Sequence, residues 1–185
     1  KYWKMIDRIK NRRSHFTKEF NGEIAPKSLI EEMLQSAIWA PSHKLTLPFR
    51  FTVIQPESRE NIKDLILNNY LKSNPNPDPI KLEKIDWLST KVSHIICIIF
   101  QPSGVVPEWE EVASLGAAVQ NMYLTISESS NFGGYWTTGN GMNSPEVRTY
   151  LNLKPDEFHY GYFLVGGINN KRTIANRPSP NITWL

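Results

Sequence analysis

The chain has 185 residues, 40% of them hydrophobic and 21% charged, which excludes a disordered chain and sets the expectation of one folded globular domain, not a two-domain enzyme. Its longest apolar run, Ile95-Ile96-Cys97-Ile98-Ile99-Phe100, falls far short of the roughly 20 residues of a membrane-spanning helix. The net charge of +3 is too small to nominate nucleic acid as a partner, and the single cysteine, Cys97, excludes an intrachain disulfide and a zinc site built on paired cysteines.

The first residues, Lys1-Tyr2-Trp3-Lys4-Met5-Ile6-Asp7-Arg8, alternate charge and bulk where a signal peptide would be apolar. The expectation is a cytoplasmic protein whose natural sequence starts earlier. Tyr2, Met5, Ile6 and Ile9 fall at i, i+3, i+4 and i+7, one face of a helix. Residues 1–20 hold seven Lys or Arg against Asp7 and Glu19, so the rest of the chain is mildly acidic. Charge alone reads as a solvated helix with lysines outward. If it has a ligand, a localised anion such as a phosphate suits it better than a long polyanion.

Leu29, Ile30, Met33, Leu34, Ala37 and Ile38 repeat the helical spacing after Pro26, and Pro41 ends it. This helix delivers Ala40-Pro41-Ser42-His43 to a turn, and Phe49-Arg50-Phe51-Thr52-Val53 alternates as a strand. Residues 57–72 read as a helix broken by the exposed loop Asn74-Pro75-Asn76-Pro77-Asp78-Pro79. The 95–100 run reads as a strand covered on both faces, with Cys97 a small buried hydrophobe.

The longest helix is expected over 108–130, with Val112, Leu115, Val119, Met122 and Ile126 on one face. Phe132-Gly133-Gly134-Tyr135-Trp136-Thr137-Thr138 reads as a glycine turn entering a short strand. Ser144-Pro145 caps a short helix to Leu151, and 158–167 is an aromatic-rich strand. The tail, 168–185, has no periodicity. Interleaved helices and strands give an α+β or α/β class.

No G-x-G-x-x-G turn, P-loop, H-E-x-x-H or G-x-S-x-G elbow occurs, and His15, His43, His94 and His159 lie far apart. Nothing argues for a metal site. What stands out is three segments in order: Arg12-Arg13-Ser14, then Ala40-Pro41-Ser42-His43-Lys44-Leu45-Thr46, then the 132–138 run. Together with Pro48-Phe49-Arg50-Phe51, 110–121 and 161–166, they resemble the nitroreductase family of FMN enzymes, in particular its small YdjA-like NAD(P)H nitroreductases. The likeness covers nearly the whole chain.

The resemblance implies an α+β fold with a central, mostly antiparallel sheet flanked by helices. It implies one FMN-binding domain over 1–185, whose tail 168–185 is exchanged in a homodimer that builds its FMN sites at the interface. It assigns Arg12, Arg13 and Ser14 to the phosphate and ribityl chain of FMN, with Lys171 and Arg172 as further phosphate candidates. It assigns His43 to a contact with FMN across the interface. Trp136, Thr137 and Thr138 would line the flavin, with Gly133 and Gly134 permitting close approach. Trp39 stands where relatives can carry Arg, and packing is the expectation for so large an apolar side chain. Leu45, Leu47 and Phe49 depart from the commoner family pattern, and Phe49 and Tyr135 are candidates for a pocket wall without an assigned role.

The activity so implied is hydride transfer from NADH or NADPH through FMN to a small-molecule oxidant such as a nitroaromatic or a quinone. No catalytic side chain is assigned, because the flavin carries the redox chemistry. No metal, nucleic acid or membrane enters. The alternative is a non-catalytic FMN-binding protein for storage, sensing or regulation.

Overall fold

A computed structural model of the chain describes residues 2–139, 141–173 and 176–185, with side chains from Met5 onward. The described elements are α1 (Tyr2–Asn11), α2 (Lys27–Ala37), β1 (Phe49–Ile54), α3 (Arg59–Ser73), α4 (Pro79–Thr90), β2 (His94–Phe100), α5 (Glu108–Ser127), β3 (Phe132–Thr137), α6 (Pro145–Tyr150) and β4 (Phe158–Gly167). The strands make one sheet in the order β1-β2-β4-β3, with every neighbouring pair antiparallel. The class is therefore α+β.

The central strands explain the apolar run. Every residue of β2 is buried. Ile96, Ile98 and Phe100 pack with Met33 of α2 and Leu115 and Met122 of α5 on one face. Ile95 and Cys97 pack with Ile62 and Ile66 of α3 and Ile85 and Leu88 of α4 on the other. A strand with helices on both faces has no solvent side to mark by alternation. Each buried isoleucine contributes about 1.5–3 kcal/mol relative to exposure. Cys97 lies fully inside, and burial pushes its thiol well above the ordinary range, as expected for a packing residue.

Three expectations need correction. The stretch after the proline-rich loop, to which the sequence assigns no element, is helical, because Pro79, the last residue of the expected loop, opens α4. The Asp78 carboxylate accepts the Ile80 N–H at 2.9 Å, and proline at the first helical position has no N–H to leave unpaired. Gly133 and Gly134 are not a turn but lie inside β3, paired with Gly166 and Val165 of β4. The long helix closes at Ser127, three residues before its expected end.

The short helix after Ser144 forms as read, with the Ser144 hydroxyl accepting the Val147 N–H at 3.3 Å. Ile168 is buried and bridges Phe20, so the irregular tail starts one residue later than expected. The described tail residues beyond it are exposed and carry no helix or strand. Among the described residues no helix is long and apolar enough to cross a membrane.

Candidate functional site

The segment leaving α1 runs along the free edge of β3. The His15 N–H donates to the Gly134 carbonyl at 3.0 Å. A Cβ on Gly133 would lie 2.7 Å from the His15 ring, so this approach requires glycine. Residues far along the chain then return to the same place. Arg172 Nη1 donates to the Ser14 carbonyl at 3.0 Å, and Arg13 Nε donates to the Thr173 carbonyl at 3.1 Å. Lys171 Nζ donates to the Ser127 carbonyl at the end of α5 at 2.9 Å. The fold thus brings Arg12, Arg13, Ser14, Lys171 and Arg172 together.

Tyr123 of α5 joins this cluster to the strand. Its hydroxyl accepts from Ser14 Oγ at 3.1 Å and from the Trp136 N–H at 2.6 Å, and the Arg12 guanidinium lies 4.8 Å from its ring centroid. Half-buried Arg12 has no hydrogen-bond acceptor or acidic partner for its guanidinium among the described residues. Its forked donors are thereby left for an anion. Arg172 lies over the Phe16 ring at 4.8 Å and pairs loosely with Glu19 at 3.4 Å. Burial holds the His15 imidazole below its usual range; Glu19 pulls the other way, while Arg172 and Lys171 add to the depression. The neighbouring Arg172 and Lys171 supply the local positive charge.

On the other side of β3 lies a cavity of about 630 Å³, within the size range of small-molecule sites. Phe16, Tyr70, Trp87 and Tyr135 contribute aromatic walls, and Thr137, Thr138 and Gly139 line one end. Phe16 meets Tyr135 edge-on, with ring centroids 5.0 Å apart, so the basic cluster and the cavity adjoin. Trp136 points to the opposite face and packs against the α5 side of the core. Phe49 packs in that same core, at 5.7 Å from Phe51, and does not line the cavity.

His43 is not brought to this cluster within one chain. Its Nδ1 lies 2.5 Å from Glu110 Oε2 in the first turn of α5. Thirteen residues of helix, roughly 20 Å, separate Glu110 from Tyr123. The following turn is strained: Lys44, Leu45 and Leu47 have φ of 53°, 54° and 44°. Left-handed backbone in such residues persists only where its surroundings impose it. Ser42 does so here, its carbonyl accepting the Leu45 N–H and its hydroxyl the Leu47 N–H, both at 3.0 Å. Trp39 does not pack within the chain as expected but stands 82% exposed, as do Leu45 at 79% and Trp109 at 72%.

The model of the Nitroreductase family matches residues 9–167, from the end of α1 through β4. The chain belongs to the nitroreductase family. This nitroreductase-family chain is 27% identical over 161 residues to the Putative NAD(P)H nitroreductase YdjA of Escherichia coli (strain K12), covering 84% of the chain and 86% of YdjA. Its fold is similar to that of the nitroreductase-like family protein from Bacillus cereus, with a TM-score of 0.78 at 23% identity over 95% of this chain and 91% of that one. It is also similar to a nitroreductase with bound FMN from Bacteroides fragilis, with a TM-score of 0.72 at 18% identity over 97% of each chain.

Around the basic cluster, the contacts of Tyr123, His15 and Phe16 escape a reading of the sequence. Tyr123 sits between Met122 and Ile126 in a helix whose apolar face suggests core alone. The available signal is its hydroxyl, since a buried tyrosine needs a polar partner.

Proposed function

We propose that the chain is an FMN-dependent oxidoreductase that takes hydride from NADH or NADPH and reduces a small-molecule oxidant of the nitroaromatic or quinone type. The observation that carries this reading is the half-buried Arg12 guanidinium, without an acceptor among the described residues, beside Arg13, Ser14, Lys171 and Arg172. That donor set fits a phosphate monoester, whose charge and acceptor oxygens match forked guanidinium donors. The FMN of the Bacteroides fragilis neighbour and the NAD(P)H in the name of YdjA support the choice of cofactor and reductant.

In this reading Arg12, Arg13, Ser14, Lys171 and Arg172 hold the phosphate end. Thr137, Thr138 and the backbone around Trp136 orient the ring. Aromatic cavity walls exclude water beside it. FMN, when bound, supplies the acceptance and donation of hydride.

We place the working site between two copies of the chain. Trp39 and Leu45, within four residues of His43 in the chain, and Trp109, next to Glu110, are exposed apolar side chains, and Trp184 in the tail is 89% exposed. Such surface favours association, and a partner chain would bring His43 to the flavin that it cannot reach in its own chain. The buried, unreactive Cys97 suits a reducing compartment, and we place the enzyme in the cytoplasm.

The test is the visible spectrum of the purified protein before and after anaerobic addition of NADH or NADPH. Bleaching of a flavin spectrum is expected. A bound flavin that does not bleach favours storage or sensing, and a protein that refuses added FMN overturns the reading.

A further inference from the structure

The cavity beside β3 carries a charge asymmetry that the cofactor site does not absorb. Lys18, Lys81 and Lys84 line it, and no acidic residue does. Among the described residues none of the three forms an ion pair, although Lys27, Lys63 and Lys72 each do elsewhere. Lys81 and Lys84 stand three residues apart on α4, which sets them side by side on one helix face. Glu83 and Asp86 on the same helix do not line the cavity. A cleft with low-dielectric walls and one sign of charge concentrates ligands of the opposite sign. Its aromatic walls select a flat ring.

We infer that Lys81 and Lys84 make this cavity selective for planar aromatic oxidants bearing an anionic substituent, such as a carboxylate. The inference rests on the proposed flavin site, because Thr137, Thr138 and Gly139 belong to the cavity wall and place its ligand beside the ring-binding strand. Half-buried Lys81 and exposed Lys84 acting on one carboxylate give a preference of about five- to tenfold over a neutral ring of the same shape, reduced by salt.

The test uses the full-length protein loaded with FMN, without reductant. Calorimetric titration compares 4-nitrobenzoate with its neutral isostere 4-nitrotoluene, in the wild type and in Lys81→Gln/Lys84→Gln, and FMN affinity is measured in both proteins. The expected result is about five- to tenfold tighter binding of the carboxylate by the wild type. In the double variant the ratio should fall to within twofold, with 4-nitrotoluene affinity and FMN affinity held within twofold. Equal binding of the two probes by flavin-loaded wild type overturns this inference and leaves the oxidoreductase reading standing. A preference that survives in the double variant overturns it as well. So does a loss of FMN affinity there, which would put the lysines at the cofactor. A chain that takes up no FMN overturns the functional reading and the inference with it.

Discussion

The Trp136 backbone N–H donates to the Tyr123 hydroxyl at 2.6 Å, fastening the free edge of β3 to the middle of α5. The same oxygen accepts from Ser14 Oγ, so one hydroxyl sets the spacing between the basic cluster proposed to hold the phosphate and the strand proposed to carry the ring. Tyr123→Phe keeps the ring under Arg12 but strands two donors. The expected outcome is a loss of about 1–3 kcal/mol of stability in denaturant unfolding and FMN binding weakened by about five- to tenfold. Unaltered FMN affinity in a destabilised variant would reduce Tyr123 to packing.

Arg12 and Ser14 test the proposed phosphate end directly. A hydrogen bond to a charged group is worth about 1.5–3 kcal/mol, or roughly ten- to 150-fold in affinity. Arg12→Ala is expected to release FMN by that order, and Ser14→Ala by the lower end of it, with circular dichroism unchanged. Arg12→Lys should recover only part, because an ammonium lacks the forked geometry. Fluorescence titration of FMN decides it, and wild-type affinity in both alanine variants would remove the assignment.

Gly133→Ala probes the edge from the strand side. Its methyl would sit 2.7–2.9 Å from three atoms of the His15 side chain, which must move and take its neighbour Ser14 with it. Overpacking of this kind costs about 1–3 kcal/mol. The variant is expected to lose both thermal stability and FMN retention, read by calorimetry and by flavin content after dialysis. A variant that loses stability while keeping full flavin content would uncouple His15 from the cofactor.

What could be read in the sequence follows from where each signal resides. β2 announces itself because a strand buried on both faces needs an unbroken apolar run, and α6 because Ser144 and Pro145 are local start signals. α4 is missed because Pro79 serves equally as a helix breaker and as a first helical residue, and only the capping Asp78 distinguishes the two. Gly133 and Gly134 look like a turn because nothing local reveals that His15 and Phe163 occupy the space where Cβ atoms would be. Among site residues, Arg12, Arg13 and Ser14 are contiguous and legible. Their meeting with Lys171 and Arg172, nearly the whole chain away, is a property of the fold, as is the role of Tyr123.

The floor under this architecture is an ion pair that titrates in acid. The Glu157 carboxylate, fully buried, accepts two hydrogen bonds of 2.7 Å from the Arg50 guanidinium and one of 2.8 Å from the Lys154 N–H. The Arg50 bonds are the main cause holding its pKa at about 2, against the opposing effect of burial. A folded value below the unfolded one means that the stabilisation is complete above about pH 4.5, where the carboxylate is ionised in both states. It is lost as pH falls from there towards 2, because the unfolded chain takes up the proton first. The effect is on the order of 2 kcal/mol once the solvent reaching Arg50 is allowed for. Glu157→Gln should therefore be clearly less stable than wild type at pH 6, and the gap should narrow steadily between pH 4.5 and 2.5 in urea titrations. A gap of constant size across that range would show that the carboxylate acts through its shape and neutral hydrogen bonds, not through its charge.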